Sequence, residues 1–199
     1  MLRRSALSAE GRYPTKFNSM KKILLLVALL LPLLAAATDV TVKSVTVTVP
    51  EGFDGPLRQA QGPAVHVGYT KESGPIGQTT FQVTVIDIDP ALKFDGVPAR
   101  ERPAAEFLLD FASSMQRTRT AFNRTEPVSL VIGGIPAAKL RWTGKLEDVE
   151  TVGTMYAIVA GDKVIHFNTQ DVGPTPTPAM LDAESAFEAA KVSPCSCVE

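Results

Sequence analysis

The chain has 199 residues, of which 45% are hydrophobic and 21% charged, a globular balance that excludes both a disordered chain and a multi-span membrane protein. Of its 20 basic and 21 acidic residues, six basic and one acidic lie in the first 37 positions, which leaves 14 against 20, a net charge of −6, on the remainder. Such an acidic body repels nucleic acid and anionic head groups at long range, which removes both as general partners.

The chain from Met20 opens with Lys21 and Lys22, continues through an apolar run from Ile23 to Leu34 and closes on Ala35, Ala36 and Ala37. A basic start, a short greasy centre and a small-residue boundary, in that order, form a cleavable export signal. Cleavage is expected after Ala37, giving a periplasmic or secreted protein with no stable membrane span. The apolar run is shorter than the roughly 20 residues a spanning helix needs, and Pro32 interrupts it; a retained anchor is the alternative. No cysteine follows the small residues, so lipid attachment is not expected. The basic residues Arg3, Arg4, Arg12 and Lys16 sit oddly ahead of such a signal and point to Met20 as the true start. Residues 38–192 are expected to form one domain, followed by a flexible cysteine-containing tail at 193–199.

After Thr38 the apolar residues recur with period two, the mark of half-buried strands. Val40 and Val42 alternate, the phase slips at Lys43 and Ser44, and Val45, Val47 and Val49 resume, a pattern that predicts a bulge or a late strand start. Pro50 and Gly52 end the run. A Gly/Pro-bearing loop is expected to lead to a strand with Val65, Val67 and Tyr69. A second loop, Ser73 to Gly77, leads to Phe81, Val83 and Val85, with Ile86 and Ile88 on the other face, so this strand belongs inside the sheet. Pro103 suits a first helical position, Glu106 the first turn, and Phe107, Leu108, Phe111 and Met115 make an apolar stripe.

Four strands follow. Val128 to Ile132 ends at Gly133-Gly134, a hairpin signal, and Ala138, Leu140 and Trp142 alternate with Lys139, Arg141 and Thr143 on the return. Val152 to Val159 is apolar on both faces, and Gly161-Asp162 turns into Val164, Ile165 and Phe167. The prolines from Pro174 to Pro178 break any strand. Thr177 caps a last helix with Pro178 at its first position and Met180, Ala183, Phe187 and Ala190 at helical spacing. The order predicts an α+β fold: an antiparallel sheet of about six or seven strands with helices packed on its faces.

Residues 45–190 resemble the PsbP-like (Mog/PsbP type) fold family. The likeness rests on the Val-Thr-Val-Pro-Glu-Gly opening from Val47 to Gly52, the mid-chain helix, and Val131-Ile132-Gly133-Gly134-Ile135-Pro136-Ala137-Ala138 turning into a Lys-Leu-Arg-Trp strand. The Gly161-Asp162 turn, the strand around Phe167 and the closing helix with Phe187 complete it. The resemblance implies an exported bacterial member of a family of noncatalytic accessory subunits, envelope lipoproteins and protein-binding modules, with another envelope protein as partner and no cofactor. The chain lacks the lipidated cysteine of the lipoprotein members.

Candidate chemistry is sparse. Cys195 and Cys197, the only cysteines, can bond to each other, to another chain or to a metal, or stand as incidental thiols on a tail. His66 and His166 each alternate against the larger apolar residues of their strands, so both are expected to point the same way. A metal site there needs a third ligand, and Asp87 and Asp89 are the candidates. The run from Asp87 is no calcium loop, because Ala91 and Leu92 stand where the fifth ligand and the sixth-place glycine belong. Gly-x-Ser-x-Gly is absent, and Ser113 and Ser114 have no histidine in local register. No catalytic or metal-binding residue is therefore assigned; the alternative to a binding module is a small enzyme or metal- or redox-handling protein using His66 and His166 or the two cysteines. Arg117, Arg119 and Arg124, just beyond the first helix, are the expected binding surface, able to grip a partner's carboxylate or phosphate. The competing reading is that they complement the helix dipole.

Overall fold

The computed structural model describes residues 37–73 and 77–193. The expected signal segment through residue 36, and both Cys195 and Cys197, lie outside the described residues.

The chain opens with a hairpin, β1 (Thr38–Val42) and β2 (Val45–Val49), paired antiparallel from Thr38↔Val49 to Val42↔Val45. The phase slip expected as a bulge or a late strand start is a chain reversal, after which a second strand starts at Val45. Lys43 adopts a positive φ of 52°, and reversal at Lys43-Ser44 keeps Val40, Val42, Val45, Val47 and Val49 all on the buried face. The segment expected as a loop before Val65 is a strand, β3 (Asp54–Gln61), every residue of it exposed. It forms the edge beside β4 (Ala64–Glu72), which pairs with β5 (Gln78–Asp87). Two short strands, β6 (Lys93–Phe94) and β7 (Val97–Pro98), make a small hairpin ahead of a 3-10 turn at Ala99–Glu101.

Helix α1 spans Ala104–Gln116, with Pro103 as its N-cap, one residue earlier than expected. Next come β8 (Thr120–Arg124), a strand with no sequence expectation behind it, and β9 (Val128–Ile132). The long meander β10 (Ile135–Leu146), β11 (Val149–Ala160) and β12 (Lys163–Val172) follows. Gly133 and Gly134 turn β9 into β10 with φ of 58° and 80°, the left-handed pair that a two-residue hairpin turn requires. Helix α2 (Pro178–Glu188) has Thr177 as its cap, the hydroxyl accepting the Met180 N–H at 3.4 Å, and β13 (Lys191–Val192) closes the fold.

The main sheet runs β3-β4-β5-β12-β11-β10-β8, with β9 pairing the other end of the same β10 edge. Its strand pairings are antiparallel, as expected. One face carries α2 and the three-stranded sheet β1-β2-β13, over a core of Val67, Phe81, Val83, Ile158, Phe167 and Phe187. Phe187 stacks on Phe167 with ring centroids 4.8 Å apart and the planes 2° from parallel. The other face carries α1, whose Leu108 and Ala112 bury against Ala138, Leu140, Trp142, Met155 and Ala157 of β10 and β11. No helix among the described residues is long and apolar enough to cross a membrane.

Candidate functional site

Antiparallel register lines residues up across the sheet, and the rows on the α1 face define the candidate site. One row reads Asp54, Thr70, Thr80, Gln170, Gly153, Trp142 and Arg124. The next reads Leu57, Gly68, Gln82, Asn168, Met155 and Leu140. Under α1 the rows are apolar. Beyond α1, toward β3, they turn polar and open into a groove of about 440 Å³ lined by Leu57, Gly68, Thr80, Gln82, Met115 and Arg119, among others.

Arg119 forms one wall. Just past the end of α1, its guanidinium folds back over the Trp142 indole, 4.7 Å from the ring centroid, a geometry in which the ring face attracts the cation. Nη2 donates to Gln170 Oε1 at 2.9 Å, and Nη1 donates to Met115 Sδ at 3.1 Å and Thr118 Oγ1 at 3.2 Å. Nε is enclosed with no partner. No carboxylate pairs with this cation among the described residues, and burial pulls its pKa below the ordinary arginine value. Arginine nonetheless stays protonated, so a half-buried positive charge faces the groove, held only by neutral groups. Asn168, 7% exposed, has its Oδ1 enclosed and unpartnered on the same stretch of β12.

Of the other predicted arginines, Arg117 is exposed at the end of α1. Arg124 stands opposite Trp142 in the strand register, with Nη1 3.6 Å from Glu126 Oε1. Arg119 therefore sits on the indole, Arg124 shares its register row on the neighbouring strand, and Arg117 stays in solvent.

The histidines do share a face. His66 and His166 both register with Thr84 on the strand between them. His66 Nδ1 lies 2.9 Å from Thr84 Oγ1. His166 packs against Phe111 with ring centroids 4.1 Å apart; the residue is half-buried and its Nε2 is enclosed without a partner. Burial, with a smaller push from His66, lowers its pKa to about 3, so the imidazole is neutral at physiological pH. Asp87, a candidate third ligand, belongs to the opposite face, where it takes Lys43 Nζ at 2.6 Å. Asp89 turns its Oδ1 to the Ala91 N–H at 2.8 Å. Asp87, one of the two candidate third ligands, thus stands away from the histidines: strand alternation puts it on the side of Val83 and Val85.

Sequence reasoning missed a charged cluster under α2. Glu184 is buried and accepts from Lys139 Nζ at 2.9 Å, Arg141 Nη2 at 3.1 Å and Thr154 Oγ1 at 2.8 Å. Glu188 takes Lys139 and the Tyr156 hydroxyl at 2.8 and 3.0 Å. Burial alone raises the Glu184 pKa, but the hydrogen bonds from Lys139, Thr154 and Arg141 outweigh it and hold the carboxyl below its usual value. Burial and the two glutamates push the Tyr156 hydroxyl far up, so it remains a neutral donor. With each group satisfied by its neighbours, the cluster fastens α2 to β10 and β11. A second buried carboxylate, Asp171, accepts from the Thr79 hydroxyl and, at 2.6 Å, from the Thr177 N–H, pinning the start of α2.

No protein-family model and no curated protein matches this chain. Solved structures do. The solution structure of cyanobacterial PsbP (CyanoP) from Synechocystis sp. PCC 6803 superimposes with a TM-score of 0.53 at 10% identity, covering 80% of this chain and 94% of that one. The crystal structure of LpqN, involved in cell envelope biogenesis of Mycobacterium tuberculosis, gives 0.48 at 17% identity, over 79% and 90% of the two chains. The fold is PsbP-like.

Proposed function

We propose that this chain is an exported, noncatalytic binding module of PsbP-like fold that presents the region beyond α1 to another envelope protein. The observation that carries the reading is Arg119: a guanidinium oriented by Trp142, Met115 and Gln170, with no internal counter-ion among the described residues, opening on a polar groove. A protein stabilises such an arrangement at some expense, because a half-buried charge without a partner loses hydration. An anionic group from outside recovers that loss, and the planar guanidinium suits a carboxylate. Arg117 and Arg124 add positive potential around it on a body otherwise acidic, which steers an acidic partner patch to this place. Export rests on Lys21, Lys22, the Ile23 to Leu34 run and the alanines ending at Ala37. The working protein is accordingly periplasmic or secreted, begins at Thr38 and folds as one domain over residues 38–192.

Two measurements test this. Intact-mass spectrometry of the envelope form is expected to find Thr38 at its start; Met1 or Met20 there refutes cleavage. Crosslinked partners recovered with the parent are compared with those recovered by the Arg117→Ala, Arg119→Ala, Arg124→Ala triple variant, after circular dichroism shows that the fold survives. Recovery is expected to fall, and unchanged recovery removes the surface assignment. His66→Gln and His166→Gln are expected to leave function intact; its loss in a folded protein would move the reading to histidine chemistry.

A further inference from the structure

Among the described strands that stand at a sheet edge, β9 alone is both long enough to pair and unguarded. β1 carries Asp39, β3 carries Asp54, Pro56, Arg58 and a break in its register, and β8 carries Arg124, Ala121 at a φ of 49° and a break of its own. Charges, prolines and irregularities of this kind keep a strand edge from pairing with another molecule. β9, Val-Ser-Leu-Val-Ile, has none of them. It pairs β10 on one side without a break, and among the described residues no strand pairs its other side. Val128 and Val131 are 64% and 65% exposed on it. The hairpin sets which groups the edge presents. Gly133-Gly134 closes on Ile132 and Ile135, the first hydrogen-bonded pair of a two-residue turn, and the ladder alternates from there. Ser129 and Val131 therefore aim their N–H and C=O groups away from β10. Pro136 agrees, since it has no N–H to give and stands opposite Val131, where β9 asks for none.

We propose that β9 pairs antiparallel with β9 of a second copy of this chain, joining the two main sheets edge to edge in a weak symmetric dimer, on a surface separate from Arg119. About a two-fold axis through Leu130, Ser129 of each copy exchanges both backbone bonds with Val131 of the other, and Val128 faces Ile132. The strand opposes no like charges, because it has none. The same register brings Glu126, its side chain 88% exposed, level with Gly134 of the second copy. Lys191 stands beside that turn, since a Cβ on Gly133 would lie 2.7 Å from the Val192 N and 3.2 Å from the Ala190 O. Lys191 is exposed, with no carboxylate paired to it among the described residues. Each Glu126 therefore meets the other copy's Lys191, at both ends of the pairing. A short strand pair buries less than the roughly 1,200 Å² of a stable complex, so the dissociation constant is expected at about 10–100 µM.

Protein purified from the envelope fraction, held under reductant so that Cys195 and Cys197 link no copies, is followed by sedimentation velocity from about 1 to 500 µM. The mean mass is expected to climb from monomer toward dimer across that range. Val131→Lys, which charges the edge, and Ser129→Pro, which removes an N–H that β10 does not use, are each expected to hold it at the monomer value with an unchanged circular dichroism spectrum. If Ser129→Pro unfolds the protein, Val131→Lys carries the test. Glu126→Lys and Lys191→Glu are each expected to weaken association about threefold, and the two together to restore it, a recovery that this register produces. Ala60→Lys, on the β3 edge, is expected to change nothing. A monomer at about 500 µM, a dimer that survives Val131→Lys, a dimer lost with Ala60→Lys, or a double charge variant as weak as the single ones overturns the proposal. If the pure protein stays monomeric while recovery of a crosslinked envelope partner depends on Val131, the edge takes a foreign strand and the second copy is refuted.

Discussion

Gly153→Ala is expected to destabilise the fold and disturb the candidate site together. Gly153 sits directly opposite Trp142 in the β10–β11 register, and the indole lies flat over the space where a side chain would stand. A Cβ on Gly153 would come within 2.4 Å of the indole Cε2 and Cζ2 and 2.7 Å of Nε1. Ordinary contact begins near 3.4 Å, so the ring must move by about 1 Å in a core where Trp142 is 1% exposed. Overpacking of this kind costs about 1–3 kcal/mol. Reduced backbone freedom in the unfolded chain offsets about 0.4–1 kcal/mol of that. With a net cost of about 0.6–2 kcal/mol, at about 2–4 °C per kcal/mol for a domain of this size, the melting temperature is expected to fall by about 1–8 °C. Because Arg119 rests on the same indole, tryptophan emission is expected to shift even in the folded state. Gly68→Ala is the control: it lies in the neighbouring row with open space above it, and its melting temperature is expected to match or slightly exceed the parent's. The measurements are thermal melts by circular dichroism and emission spectra below the transition. A Gly153→Ala protein that melts with the parent and keeps its emission maximum would refute the packing argument and the coupling of Trp142 to Arg119.

His166, with a pKa of about 3 in the folded chain against 6.5 unfolded, binds its proton more readily when unfolded. Its contribution to stability is full above pH 6.5 and is lost as pH falls toward 3, with a slope of at most about 1.4 kcal/mol per pH unit; His166→Phe is expected to flatten denaturant-measured stability across that range. Glu184 behaves differently: its lowered pKa gives stability that is present in full above about pH 4.5 and lost as pH falls through the folded value. Glu184→Ala removes the acceptor of Arg141, Thr154 and one of Lys139's two pairings and is expected to cost about 1–3 kcal/mol at neutral pH, while Glu184→Gln is expected to shift the acid unfolding limb. Cys195→Ser with Cys197→Ser is expected to leave the melting temperature within about 1 °C, because a link across one residue constrains little of the unfolded chain; a drop of several degrees would show the tail tied into the fold.

The parts legible in the sequence were those where hydrophobicity and structure share a period. Phe81, Val83 and Val85 name β5's buried face, and Thr177 with Pro178 marks the start of α2, because burial and capping act on those residues themselves. β3 gives no such signal: all of Asp54–Gln61 is exposed, so its pairing with β4 leaves no apolar trace. The β1–β2 reversal is hidden for another reason, since it uses Lys43 at positive φ in place of the glycine or asparagine that announces a turn. Alternation predicted that His66 and His166 share a face, and the same rule applied to β5 places Asp87 with Val83 and Val85, away from them. The Glu184 cluster depends on Lys139 and Arg141 meeting a helix some 40 residues later in the chain. A glutamate four positions after Met180 on α2's apolar stripe is the one trace it leaves.

The groove follows from how little of the sheet one helix can cover. A helix is about 10 Å across and strands lie about 4.8 Å apart, so the α1 backbone lies over roughly two of the eight strands. It sits on β10 and β11, and the residues beneath it are Ala138, Leu140, Met155 and Ala157. Phe107 and Phe111 of α1 still reach Ile86, Val164 and His166 at one end of β5 and β12, but toward the groove the same face of β4, β5 and β12 carries Thr70, Thr80, Gln82, Asn168 and Gln170 instead. On the opposite face those three strands lie under α2 and the β1-β2-β13 sheet, and there they present Val67, Phe81, Val83 and Phe167. One set of strands is thus apolar where covered and polar where open. Arg119 stands at the boundary: its Trp142 stack belongs to the covered side and its unpaired charge to the open one. A cation placed there gains orientation from the core while one side stays open, which is why the proposed contact surface lies at the edge of α1's shadow rather than on its exposed back or on the buried strands beneath it.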